Sequence, residues 1–128
     1  MFLRFVIHSN DPDSGKRQGI FQAVAELRDE HRLTPDQEVL HDNLRKWFNQ
    51  NLERPARFAR STRHNPKSVA ISWFKAAAQD HIAKMREMAM ILNAHDIAVE
   101  ILQTDRPGYI VYEDHHQVCA EPFRETKT

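Results

Sequence analysis

The sequence predicts a two-layer α+β domain, in which three helices cover one face of a largely antiparallel four-stranded sheet in the order β-α-α-α-β-β-β. Two observations support this prediction. Hydrophobic residues alternate with polar ones near the N-terminus and in the last third of the chain, as they do in half-buried strands. Between these regions hydrophobic residues recur every three to four positions, as they do in amphipathic helices.

The first strand and the first helix follow from this hydrophobic spacing. The segment FLRFVIH alternates, so it is predicted to be a strand. The next segment, SNDPDSGKRQG, is rich in turn-forming residues and is predicted to be a loop. Ile20, Val24 and Leu27 then recur at helical spacing, which predicts a helix over about 18–31.

The second and third helices are predicted from residues that start helices. In TPDQ, Thr34 is the N-cap, Pro35 suits the first helical position and Gln37 completes a capping box. This helix is expected to end before Pro55. The segment NPKS has the same pattern and predicts a long helix over about 65–93. VAISWF also alternates, so the alternative is that this part of the chain begins as a strand.

The last third of the chain predicts three more strands. AVEIL, YIVYE and QVCAE alternate, and the segments between them, TDRPG and DHH, predict two hairpin turns. With the first strand added, the sheet would have four strands. The predicted organisation is a single α+β domain over 1–123, containing a basic inter-helix loop over 53–67, and a polar tail over 124–128.

Length, charge and cysteine content limit the class of protein. A chain of 128 residues is long enough for one hydrophobic core. The formal net charge is +0, so any electrostatic partner must be bound locally. Cys119 is the only cysteine, which excludes an internal disulfide and favours a reducing compartment. The sequence shows no signal peptide and no apolar stretch of membrane length, so we expect a cytoplasmic protein without a membrane partner.

One segment resembles proteins from a known group. PGYIVYEDHHQVCAEPF, preceded by ISWFK, is similar to the ending of a group of small uncharacterised bacterial proteins. The resemblance covers roughly the C-terminal half of the chain, together with SGKR near the front. It implies a bacterial or bacteriophage source, and it implies neither an activity nor any site residue.

The segment over 53–67, ERPARFARSTRHNPK, is the most basic part of the chain. It has five basic side chains and one acidic one, a net charge of +4 in a neutral protein. Its arginines recur at every third position, and polyproline II geometry, with about three residues per turn, places such side chains along one edge. A phenylalanine among them adds a stacking ring, as in surfaces that bind single-stranded nucleic acid or acidic proteins. The predicted partner-binding residues are Arg54, Arg57, Phe58, Arg60, Arg63 and Lys67. The alternative is a solvated loop whose arginines pair with acids elsewhere in the chain.

A second basic position lies in the first loop. Lys16 and Arg17 precede a predicted helix, so they could contact an anion there. The phosphate-binding loop pattern fails, because Asn10 replaces its first glycine and Arg17 replaces its serine or threonine. The calcium-loop pattern also fails. The alternative is an ordinary surface turn.

Neither a metal site nor a cofactor is predicted. The adjacent histidines His115 and His116 would point to opposite faces of an extended segment, which makes a poor chelate unless the turn curls them together. His81 lies on the apolar stripe of the long helix and is expected to be a core-edge histidine with a hydrogen-bond partner. Cys119 is expected to be a small, partly buried residue.

Two classes of function remain. The first is a small non-catalytic cytoplasmic binding or regulatory protein, whose arginine-rich loop contacts nucleic acid or a protein that handles it, for example as a phage or mobile-element inhibitor. The alternative is a small enzyme with a dispersed His, Asp and Glu site. Such an enzyme should have a concave cluster around His81, His115 or Glu113. An unpaired strand edge is also compatible with a homodimer.

Overall fold

A computed structural model describes residues 1–12, 15–55 and 70–128 of the chain. Within these ranges there are six strands and three helices. The strands are β1 (Phe2–Asn10), β2 (Arg17–Gly19), β3 (Ile71–Lys75), β4 (Glu100–Thr104), β5 (Tyr109–Glu113) and β6 (Gln117–Glu121). The helices are α1 (Ile20–Asp29), α2 (Pro35–Asn51) and α3 (Gln79–Ala94). The α+β class and the largely antiparallel sheet are confirmed.

The strands form one sheet around β1. The path β2-β1-β3-β6-β5 is hydrogen-bonded throughout, and β4 also pairs with β1. Phe2 and Leu3 pair with both β3 and β4, and Val6 pairs with both β2 and β4. Because a strand has two edges, β4 lies on the opposite edge of β1 from β2 and β3. All of these pairings are antiparallel.

The predicted count of four strands and the predicted element order are wrong. β2 forms inside the segment predicted to be a loop, where it pairs with the second half of β1. β3 forms where the long third helix was expected to begin, so the alternative of a strand in VAISWF is correct. The physical reason is that both faces of β3 are buried: Ile71 and Trp73 pack in one apolar cluster and Phe74 packs in another. The helix that follows begins only at Gln79.

The C-terminal strands do not form a continuous meander. β5 and β6 form the predicted hairpin around the DHH turn. β4 instead pairs with β1 over five consecutive residues, so the predicted hairpin between β4 and β5 is wrong. Gly108 lies in the connection with a φ of 134°, and a Cβ atom there would overlap the carbonyl oxygen of Glu121. The absence of a Cβ at Gly108 allows this close approach, next to the point where Tyr109 pairs with Glu121.

The first two helices agree with the sequence patterns. At the start of α2, Thr34 Oγ1 accepts a hydrogen bond from Gln37 N (3.2 Å) and Gln37 Oε1 accepts one from Thr34 N (3.0 Å), so the capping box is formed. α2 ends at Asn51, because Leu52 has extended backbone angles. The third helix is long, although it begins later than predicted.

The helices pack on one face of the sheet. Phe5 and Ile7 of β1 bury against the helices with Val24, Phe48 and Met88. A second, smaller cluster on the other face is built from Val6, Ile71, Trp73, Leu102 and Val118. β1 and β3 thus contribute apolar side chains to both faces of the sheet.

The last residues of the chain lie against β1. The carbonyl of Thr128 accepts hydrogen bonds from Arg4 Nη1 (2.7 Å) and from Arg17 N (3.4 Å). Burial, followed by the nearby charge of Arg17, lowers the pKa of Arg4 to about 10. Among the residues that the structure describes, no helix is long and apolar enough to cross a membrane.

Candidate functional site

A polar cleft lies between the C-terminal end of α2 and the turn that joins β5 to β6. Residues 49–54 form one wall and residues 114–116 form the other. Its volume is about 500 Å³, which falls within the range of about 300–1,000 Å³ that is usual for small-ligand sites. Arg54, the first arginine of the basic segment, is exposed on its rim.

His81 contacts one residue on each wall of this cleft, Asn51 and His116. It lies in the first turn of α3, with 4% of its surface exposed, and its Nε2 donates a hydrogen bond to the carbonyl of Asn51 (2.7 Å). Its ring stacks on the ring of His116, with 4.2 Å between the centroids and 27° between the planes. The ring of Trp47 packs against it at an angle of 68°, with 4.8 Å between the centroids. The prediction of a core-edge histidine with a hydrogen-bond partner is confirmed.

Asp114 fixes the conformation of the β5–β6 turn. Its carboxylate accepts hydrogen bonds from Tyr112 OH (2.8 Å), His116 N (2.8 Å), Gln117 N (3.0 Å) and Gln117 Nε2 (3.0 Å). Burial acts to raise the pKa of Asp114, but these hydrogen bonds outweigh it, and the net effect lowers the pKa. The hydrogen bond to Asp114, together with burial, raises the pKa of Tyr112 to about 12. The carboxylate therefore stays charged and is directed into the turn.

Two further contacts attach the turn to its surroundings. Gln117 Nε2 donates to the carbonyl of Glu53 (2.6 Å), which joins the turn to the residues that follow α2. Lys75 N donates to the carbonyl of His116 (2.9 Å), and Lys75 Nζ forms an ion pair with Glu113 (2.6 Å). The turn is thus hydrogen-bonded both to the residues that follow α2 and to β3.

The predicted partner-binding residues divide into two groups. Arg54 lies at the cleft. Arg57, Phe58, Arg60, Arg63 and Lys67 lie outside the described residues, so their role stays a prediction.

The predicted anion position lies elsewhere on the sheet. Arg17 is part of β2, where its Nη1 pairs with Glu100 Oε2 (3.1 Å) and its Nε donates to the carbonyl of Ile7 (3.1 Å). The carbonyl of Lys16 accepts from Asp11 N (2.6 Å). The hydrogen bond from Arg17 also lowers the pKa of Glu100. Most of the Arg17 guanidinium is therefore engaged in holding β2 and β4 against β1.

Of the side chains that the enzyme alternative names, His81 lies against His116 and Glu113 pairs with Lys75, and the hydrogen bonds of this region are largely internal. His81 donates to a backbone carbonyl, and Asp114 accepts from its own turn. In the described part of the chain there is no group of three or more His, Cys, Asp or Glu residues that is suited to a metal ion. Cys119 is buried, and burial raises the pKa of its thiol.

Sequence reasoning missed the contact between His81 and His116, since hydrophobic spacing says nothing about which residues meet across elements. One signal was present. An aspartate often accepts a hydrogen bond from the backbone N–H two residues later, so DHHQ could have been read as a turn organised by Asp114. Such a turn curls the histidines together instead of leaving them extended.

The chain was compared with protein-family models, curated proteins and solved structures. No family model matches it, and neither do any of the curated proteins or solved structures.

Proposed function

We propose that the protein is a small, non-catalytic cytoplasmic binding protein that uses the basic segment over 53–67 to contact an acidic partner. The partner is single-stranded nucleic acid. A protein of this kind would suit the role of a regulator or inhibitor encoded by a phage or mobile element.

The charge of the segment is the first support. Its net charge of +4 is balanced by acids elsewhere in a neutral chain, so it is a local feature. Arginine at every third position favours a backbone of phosphates, because each guanidinium binds a phosphate with two parallel hydrogen bonds.

The position of Arg54 is the observation that carries the proposal. Arg54 is exposed at the rim of the cleft, so the basic segment starts next to His115 and His116. Of the two carboxylates that line the cleft, Asp114 is directed into the turn by its four hydrogen bonds and Glu53 is exposed next to Arg54. A strand bound along the arginines would therefore meet polar and aromatic groups at the cleft.

The test is a fluorescence-anisotropy titration of a labelled single-stranded oligonucleotide across a salt series. Each phosphate contact contributes a slope of roughly −0.7 to the dependence of log K on log salt for single strands. The triple variant Arg57→Ala, Arg60→Ala, Arg63→Ala should bind more weakly and should reduce the magnitude of the slope by about 2.

The matched control removes three exposed arginines from other surfaces: Arg32→Ala, Arg45→Ala and Arg86→Ala. It changes the net charge by the same amount. If both triple variants lose the same affinity, the binding reflects total charge and the proposal is wrong. If the wild type does not bind oligonucleotides even at low salt, nucleic acid is excluded, and an acidic protein becomes the partner to seek by co-purification.

A further inference from the structure

We infer that the cleft between α2 and the β5–β6 turn is a nucleobase site, in which a base stacks beside His116 while the adjacent phosphate stays near Arg54. This inference rests on the proposed function, because it assumes that the acidic partner is a nucleic acid. It adds that the protein contacts bases as well as the backbone.

The rings at the cleft provide a place for stacking. His116 is half-buried and lines the cleft, and His115 is exposed beside it with its ring tilted by 58°. His116 is held in place because its ring stacks on the buried His81, which is itself fixed by Asn51. A ring that is already fixed loses little conformational entropy when a base stacks on it.

The other wall of the cleft favours a neutral ligand that donates hydrogen bonds. The C-terminal end of a helix carries the negative end of the helix dipole, although the carbonyl of Asn51 already accepts from His81 Nε2. The wall over 49–52 is that end of α2. Asn51 Nδ2 donates to the carbonyl of Trp47 (2.8 Å), which leaves its Oδ1 as an acceptor. A phosphate is disfavoured at such a wall, whereas the N–H groups of a base are suited to it.

The positive charges near the cleft also favour a base inside it and a phosphate beside it. Arg54 is exposed and lines the cleft, and the remaining arginines follow it in the chain. A base that entered the cleft would leave its own phosphate near Arg54. Stacking rings combined with a row of cations are the usual means of binding single strands.

The experiment compares two labelled ligands with the same number of phosphates. One is a short thymidine oligomer, and the other is the same oligomer with tetrahydrofuran abasic residues in place of the nucleosides. We expect the wild type to bind the thymidine oligomer about 5- to 100-fold more tightly than the abasic one. His115→Ala and His116→Ala should reduce this ratio towards one without weakening the binding of the abasic oligomer.

Two further variants separate stacking from folding. His116→Phe keeps a ring at the same position and should retain most of the preference for bases. His8→Ala removes an exposed histidine outside the cleft and should change neither affinity. Circular dichroism of each variant checks that it is folded.

The outcomes distinguish the inference from the proposed function. If wild type binds both oligomers equally, the arginine contact is supported but the nucleobase site is wrong. If His115→Ala and His116→Ala both still bind the thymidine oligomer more tightly than the abasic one, a different surface binds the bases and the inference is also wrong. If neither oligomer binds, the proposed function fails and the inference fails with it.

Discussion

The rings of His81 and His116 stack with their centroids 4.2 Å apart. This contact joins the first turn of α3 to the turn between β5 and β6. Because His81 also donates to the carbonyl of Asn51, the end of α2 is attached to the same pair. Three elements that are distant in the sequence therefore meet at one pair of side chains. His116 of this pair lines the cleft.

The first prediction concerns the stability that His81 provides. His81→Ala removes a buried ring and leaves the carbonyl of Asn51 without this donor, so the free energy of unfolding should fall by about 2–4 kcal/mol. Urea denaturation monitored by circular dichroism measures it. His8→Ala serves as the exposed control and should change stability by less than about 0.5 kcal/mol. Equal stabilities for the two variants would contradict the role assigned to His81.

The second prediction concerns the pH dependence caused by Asp114. Its pKa is lowered from the ordinary value of 3.8, so the folded state binds the proton less well than the unfolded state. This contribution to stability is fully present above pH 3.8 and is lost as the pH falls through the lower folded value. Asp114→Asn should be less stable than wild type at pH 7, by about 1–2 kcal/mol, and the difference should shrink in acid. A difference that stays constant from pH 7 to acid would contradict this account.

The third prediction compares two glycines with positive φ. Gly108→Ala should destabilise the protein by more than about 3 kcal/mol, because its Cβ would overlap the backbone of Glu121 and nothing flexible can move aside. Gly15 has a φ of 70°, and a Cβ atom added there would meet no other atom within 4 Å, so Gly15→Ala should cost only about 1 kcal/mol. Thermal unfolding of both variants tests the pair. Similar losses would show that the β4–β5 connection does not depend on this close approach.

The fourth prediction separates structure from anion binding at Arg17. Its Nε and Nη1 groups are bonded to Ile7 and Glu100, so Arg17→Ala should lower the melting temperature. Because these donors are already engaged, the affinity for oligonucleotide should change less than twofold at a temperature where the variant is folded. A large loss of affinity without loss of stability would support the anion site that the sequence predicts at Lys16 and Arg17.

The fold could be predicted wherever a local signal determines an element. The capping box of Thr34 and Gln37 starts α2 as expected, and the alternation of β5 and β6 predicts their hairpin. The region of β3 was ambiguous, because VAISWF alternates as in a strand while Phe74 begins a row of residues at helical spacing. The pairing of β4 with β1 is a contact between residues that are distant in the sequence, and neither segment carries a local signal that predicts it.

The candidate site could be predicted only in part. The charge of the basic segment is visible in the sequence, and Arg54 does lie at a cleft. The shape of the cleft depends on where α2 ends and on how Asp114 organises the turn. Both depend on tertiary contacts such as that between Gln117 and Glu53. Sequence periodicity carries no information about such contacts.

The most direct test of the account is an NMR titration of the ¹⁵N-labelled protein with a short thymidine oligomer. We expect amide shifts to change at residues 49–54 and 114–116 and within the basic segment, while the amides of β4 and of the first turn of α2 stay unchanged. Changes confined to the region of Lys16 and Arg17, or no changes at saturating oligomer, would contradict the claim that the cleft and the basic segment form the binding surface.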